Sequence, residues 1–171
     1  PLALALGLDG ARLTLVDHDV VATNNLHRQI QFGAADVGRR KVDALADALV
    51  ARGARRPHTV PLRADAAALE RLVGADEIVV DATDDAGTKF IVADWATRRG
   101  RPHVIAGAVG LGGQVFASDG GIATPCYRCF FEAPPDDAAT CARDGVLGPA
   151  VGLVAAIAAG EIHARAEHTA P

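Results

Sequence analysis

Two short apolar runs, each closing on a carboxylate, constrain this chain more than any other feature: Arg12-Leu-Thr-Leu-Val-Asp17 and Glu77-Ile-Val-Val-Asp81. Such runs read as buried strands. Between them the spacing of apolar residues changes. Val42, Leu45, Ala46 and Leu49 recur at helical intervals within Val37 to Arg52, and Gly53 supplies a stop signal. His58 to Leu62 then reads as a strand and Ala66 to Val73 as a helix. Strands that alternate with helices imply a parallel sheet covered by helices, because a parallel pair needs a long crossover. Further along, Phe90 to Arg99 reads as a helix, Pro102 to Ala106 and Gln114 to Ser118 as extended, and Pro149 to Ala166 as an Ala-rich helix with Pro in its first turn. The expected fold is a doubly wound, mostly parallel α/β sheet flanked by helices. In open sheets of that kind ligands bind beyond the carboxyl ends of the strands, where Asp17, Asp81 and Asp84 fall.

Length and composition narrow the function classes. A chain of 171 residues, half of them apolar, is expected to form a single domain with its own core. Its net charge is −4 with both signs interspersed, which argues against nucleic acid as a partner. No apolar stretch is long enough to span a bilayer and no signal peptide opens the chain, so the expectation is a cytoplasmic protein without a membrane partner. The chain holds three cysteines, two of them in Cys126-x-x-Cys129, which points to metal or redox chemistry rather than to a disulfide scaffold. It contains no Met and starts at Pro1 in an apolar segment, from which a cut N-terminus is expected.

Several constellations carry chemistry. Asp17 ends a strand and precedes a dense polar turn, where an acid either accepts ribose hydroxyls or caps the turn. Asn25, Arg28 and Gln29 are spaced so that one helical turn presents them on one face, a sensible phosphate clamp beside a merely solvated alternative. Lys41, one of two lysines among 17 lysines and arginines, stands near a helix start and suits a phosphate oxygen or simply the surface. Asp81-Ala-Thr-Asp84-Asp85 places three carboxylates in five residues, fitting a Mg²⁺ site, a helix N-cap, or one role for each. The Gly107 to Gly113 stretch adds backbone freedom without matching a dinucleotide or Walker loop. Cys126 and Cys129 have the spacing of half a tetrahedral zinc site, and Cys141 taken alone reads as a small buried hydrophobe ahead of a nucleophile.

Seven stretches in order resemble the ThiF/MoeB family, the adenylyltransferases of thiamine and molybdopterin sulfur carriers, relatives of ubiquitin-activating enzymes. They are Leu-Val-Asp17-His-Asp, Asn25-Leu-His-Arg28-Gln29, Val-Gly-Arg-Arg-Lys41, Asp81-Ala-Thr-Asp84, Gly113-Gln114, Pro125-Cys-Tyr-Arg-Cys129, and Thr140-Cys141 with Gly145-Val-Leu-Gly-Pro. The resemblance implies a Rossmann-like fold, ribose binding by Asp17, and ATP contacts from Asn24, Asn25, Arg28 and Lys41. It further implies Mg²⁺ on Asp84 with Asp85 beside it, and Zn²⁺ on Cys126 and Cys129 as half of a four-cysteine site. Cys141 stands where some members carry a reactive cysteine. The chain departs from the pattern in four ways. A Gly-rich loop and a second C-x-x-C are absent, Asp85 replaces the usual Asn, and Lys89 and Ala93 stand where Arg and Asn are common.

The resemblance implies ATP-dependent adenylylation of the Gly-Gly carboxylate of a ubiquitin-like sulfur carrier protein. Catalytic roles would fall to Arg28, Lys41, Asp84 and Cys141, and a sulfurtransferase or cysteine desulfurase would be a further partner. A carrier-binding pseudoenzyme is the alternative that Asp85 motivates, and an NAD-dependent oxidoreductase is a weaker third. Family members are commonly homodimers. Independently, Gly148 to Gly160 is apolar all round, so a helix there is expected to be buried on every side and to pack at or near a two-fold interface through Ala155, Ala156 and Ala159.

Overall fold

The computed structural model describes residues 1–121, 123–134 and 141–169, and for residues 141, 142, 168 and 169 the backbone only. The chain divides into two compact units, Pro1–Ala64 and Asp65–Pro171. Both are α/β, with parallel strand pairs and flanking helices.

The first unit contains helix α1 (Leu2–Leu8), strand β1 (Thr14–Val16), helix α2 (Lys41–Val50) and strand β2 (His58–Val60). β1 and β2 pair in parallel, Thr14 opposite His58 and Val16 opposite Val60. α2 buries Val42, Ala46 and Leu49 of the expected stripe together with Ala44, while Leu45 is half-buried beside them. The helix begins at Lys41 rather than near Val37 because the preceding residues are engaged elsewhere. The Val21 amide donates to the Arg39 carbonyl at 2.8 Å, the Gly38 amide donates to the Val21 carbonyl at 2.9 Å, and Val20 bridges Arg40 in antiparallel fashion. Backbone groups committed to that ladder cannot also join a helix.

The second unit runs α3 (Ala66–Leu72), β3 (Val79–Asp81), α4 (Ala86–Arg98), β4 (His103–Val109), β5 (Gly112–Ser118), α5 (Cys141–Asp144) and α6 (Gly148–Thr169). Its sheet has the order β3-β4-β5. β3 and β4 are parallel, joined through α4, with Asp81 opposite Ile105. β5 is antiparallel to β4, Val109 opposite Gly112, because the two residues Gly110 and Leu111 can close a hairpin but cannot make a crossover. The core gathers Leu69, Phe90, Trp95, Ile105 and Tyr127. The rings of Phe90 and Phe116 meet Tyr127 edge-on at 5.1 and 5.4 Å, a favoured aromatic geometry.

α6 packs along β4 and β5 and buries Ala155, Ala158, Ala159 and Ile162. The close approach depends on Gly113, where a Cβ would stand 2.3 Å from Val154 Cγ2 and 2.8 Å from the Gly107 carbonyl oxygen. The expectation that this helix is buried on every side is corrected. Its other face carries Leu153 and Ile157, 64% and 50% exposed, with Ala156 and Gly160 between and beyond them. Ala155 and Ala159 fit the helix to its own sheet and not to another helix.

His103, the first residue of β4, is fully buried against Phe116. Its Nδ1 donates to the Arg101 carbonyl at 2.9 Å, and Nε2 has no partner among the described residues. Burial lowers the imidazole pKa, with Arg165 pushing in the same direction. The native state therefore holds His103 neutral while the unfolded chain takes up a proton below about pH 6.5. Stability is lost as pH falls through that range, by at most about 1.4 kcal/mol per pH unit from this group. Urea unfolding of wild type and His103→Gln between pH 7.5 and 5.5 is expected to show a steeper loss in wild type, and equal slopes would contradict the assignment.

Candidate functional site

Asp17 follows the last residue of β1, and its amide donates to the Val60 carbonyl at 3.3 Å, which extends the strand pair by one position. Its Oδ1 accepts from the Asp19 amide at 2.8 Å, turning the chain away from the sheet. The second carboxylate oxygen takes no protein donor among the described residues. Lys41, the first residue of α2, is placed twice by Asp19: its amide donates to the Asp19 carbonyl at 2.9 Å and Nζ meets Asp19 Oδ2 at 2.7 Å. That hydrogen bond is the main reason the Asp19 carboxyl lies below the usual range. Asp17, His18 and Asp19 bring ligand-type atoms within 4.8 Å of one another. Lys41 already compensates Asp19, so the group does not need a cation.

The polar turn forms as its spacing implies. Arg28 and Gln29 amides donate to the Asn25 carbonyl at 3.1 and 2.9 Å. Asn25 is buried, and its side chain holds the turn by accepting from the Ala22 amide at 3.2 Å and donating to Asn24 Oδ1 at 3.3 Å. Arg28 Nη1 donates to the Asn24 carbonyl at 2.8 Å, leaving the rest of the fork available. Asn25 therefore shapes the loop, while Asn24 and Arg28 are the members able to meet a ligand.

In the second unit the acidic run divides its labour. Asp85 is the N-cap of α4, its Oδ2 accepting from the Thr88 amide at 2.8 Å and the Thr88 hydroxyl at 2.5 Å. Asp81 is buried at the end of β3, its Oδ2 2.7 Å from Lys89 Nζ and its Oδ1 accepting from Thr83 at 2.8 Å. Burial raises the Asp81 carboxyl pKa, and Lys89 opposes the rise. Asp84 is exposed between them. It lines a cavity of about 340 Å³ together with Thr83, Lys89, Gly107, Gly113 and Gln114. The Gln114 amide donates to the Tyr127 hydroxyl at 3.1 Å, which ties the cavity wall to the aromatic core. Sequence reasoning passed over Lys89 except as a departure from a pattern. The usable signal was a lysine eight residues after a strand-terminal Asp in a chain with two lysines.

Cys126 and Cys129 lie on one tight turn with their sulfurs 3.0 Å apart. The hydrogen bond from Cys129 lowers the Cys126 thiol pKa. Two thiolates on a shared ion stand roughly 3.7 Å apart, so a small widening would seat a zinc. No third His, Cys, Asp or Glu joins them among the described residues. Arg128 fixes the turn without metal: its fork grips Asp94 of α4 at 2.8 and 2.9 Å and lies 5.0 Å over the Phe90 ring. The side chain of Cys141 lies outside the described residues. Asp17, Asn24, Asn25, Arg28 and Lys41 belong to the first unit, and Asp84, Asp85, Cys126 and Cys129 to the second.

A model of the ThiF family matches residues 2–169. The chain belongs to the ThiF family. It is 40% identical over 169 residues to the mouse adenylyltransferase and sulfurtransferase MOCS3, covering 95% of this chain and 36% of that protein. It is 34% identical over 172 residues to adenylyltransferase and sulfurtransferase uba4 of Neosartorya fischeri, covering 93% of this chain and 33% of that protein. The chain thus spans about a third of these relatives. Among solved structures, Escherichia coli MccB with MccA-N7isoASN superposes with a TM-score of 0.83 at 21% identity, over 99% of this chain and 53% of that one. MccB with ATP gives 0.77, also at 21% identity, over 99% of this chain and 52% of that one. The shared fold is Rossmann-like α/β.

The division of the acidic run is testable by stability alone. Asp85→Ala is expected to cost about 1 kcal/mol through the lost N-cap, while Asp84→Ala stays within about 0.5 kcal/mol of wild type. Urea denaturation reads both, and equal losses would contradict separate roles.

Proposed function

We propose that the protein containing this chain adenylates the C-terminal carboxylate of a ubiquitin-like sulfur carrier protein. The observation that carries the reading is the ThiF family membership together with Asp17 at a strand end, Arg28 on its turn, Lys41 at a helix start and Asp84 on its cavity. MOCS3 and uba4 carry adenylyltransferase and sulfurtransferase in their names, which supports the same chemistry for this chain.

In the reaction a carboxylate oxygen of the carrier attacks the α-phosphorus of ATP, the bond to the bridging oxygen of the β-phosphate breaks, and pyrophosphate leaves with that electron pair. The carboxylate is already ionised at neutral pH, so no general base is required. The protein's part is to align the groups and to stabilise charge on the phosphates. Asp17 accepts ribose hydroxyls with its unused oxygen. Asn24, Asn25, Arg28 and Lys41 form the phosphate side, with Asn25 shaping the loop. Asp84 would hold Mg²⁺, and that ion would supply charge neutralisation at the phosphates. Asp85 follows Asp84 in sequence, with its Oδ2 committed to the helix cap, and a carrier-binding pseudoenzyme is the alternative that the exchange experiment below distinguishes. A sulfur nucleophile from a sulfurtransferase or cysteine desulfurase, or Cys141, then takes the acyl group and releases AMP. Cys126 and Cys129 would hold Zn²⁺ as half of its ligand set, in a cytoplasmic enzyme.

The exposed stripe of Leu153 and Ile157 supports a homodimer through α6, since an apolar face of that kind is normally covered. Leu153→Asp with Ile157→Asp is expected to give a monomer by light scattering where wild type is a dimer, and a monomeric wild type would remove the dimer.

The experiment that tests the activity is carrier-dependent exchange of labelled pyrophosphate into ATP by the full-length protein. Arg28→Ala and Lys41→Ala are each expected to lower the exchange rate about 10² to 10³-fold with folding retained. Exchange absent in wild type, or unchanged in both variants, would contradict the proposal.

A further inference from the structure

Lys89 is 7% exposed, yet it lines the cavity that holds Asp84. A lysine ammonium has three N–H donors. Two are committed, to Asp81 Oδ2 and to the Ala106 carbonyl, both at 2.7 Å. The third has no acceptor among the described residues, in a place where an unused donor is costly unless something meets it. The space around it is kept clear. A Cβ on Gly107 would stand 3.2 Å from Lys89 Cε and 3.5 Å from Nζ, so any side chain there would crowd the ammonium. Gly112 and Gly113 continue the same wall.

We infer that Lys89 receives a C-terminal peptide carboxylate on its third N–H, making it the residue that recognises the end of the carrier. The inference rests on the adenylation reading and deepens it. The charge balance selects the ligand. Asp81 already offsets the ammonium, so the pair offers a strong donor with little net charge, which suits a single carboxylate better than a polyphosphate. Glycines at 107, 112 and 113 leave room for a chain end to approach the ammonium. Lysine fits this use better than arginine, since a compact ammonium can hold three separate acceptors where a planar fork pairs with one or two.

The test uses a synthetic peptide ending in Gly-Gly, as the free acid and as the C-terminal amide. Wild type is expected to bind the acid about tenfold more tightly than the amide, the ratio that one charge-assisted hydrogen bond supplies. Asp81→Asn with Lys89→Met removes both charges together, avoiding an unpaired buried carboxylate, and is expected to fold with the acid preference abolished. A second measurement reads the wild-type lysine itself. In protein labelled with ¹³Cε-lysine, the Lys89 signal is the one missing from the double variant, and the acid peptide is expected to shift it while the amide leaves it in place. No acid preference in wild type, a preference retained in the double variant, or an unmoved Lys89 signal would overturn the inference. Pyrophosphate exchange is read separately: acid preference without exchange removes the adenylation reading and leaves the carboxylate site standing.

Discussion

The second unit is organised around one buried ion pair. Asp81 ends β3, Lys89 sits one turn into α4, and the Ala106 carbonyl belongs to β4, so a single ammonium ties a strand, the following helix and the neighbouring strand together. A pair this buried repays its desolvation only when its hydrogen bonds are satisfied, and removing one partner alone costs about 3 to 5 kcal/mol. The consequence for the site is positional. With both ends of the Thr83 to Asp85 turn held, by Asp81 through Thr83 and by the Asp85 cap, Asp84 is presented at the cavity rim without a packing role of its own.

The same principle, a committed neighbour freeing a group for ligand, recurs in the first unit. Asp19 positions Lys41, Asn25 closes the turn that carries Arg28, and the Asp19 amide occupies one oxygen of Asp17 while the other takes no protein donor among the described residues. Arg128 does so for the cysteine pair by anchoring its turn to α4. In each case a residue beside the candidate ligand carries the structural cost.

Much of this was legible in the sequence, because it rests on short-range rules. Apolar runs ending in Asp gave β1 and β3, the 3.6-residue stripe gave α2, and the two-residue link explains the hairpin of β4 and β5. The acidic run was readable as an N-cap and a ligand but not as which was which, since that depends on where the helix starts. What escaped had a tertiary cause. The antiparallel pairing of residues 20 and 21 with 38 to 40 postpones α2, and no local signal announces it. The Lys89 to Asp81 bond and the one-sided burial of α6 are set by packing against β4, beyond what periodicity encodes.

In the adenylation proposed for the protein containing this chain, a carrier carboxylate oxygen attacks the α-phosphorus of ATP. Labelling the terminal carboxylate of the carrier with ¹⁸O and following it through one complete turnover with a sulfur donor tests that claim most directly. If the acyl-adenylate forms and sulfur then displaces AMP at the acyl carbon, the C–O bond breaks and AMP carries one ¹⁸O atom, visible by mass spectrometry. AMP released without label during turnover would contradict it, because the bond to phosphorus would then have formed from water.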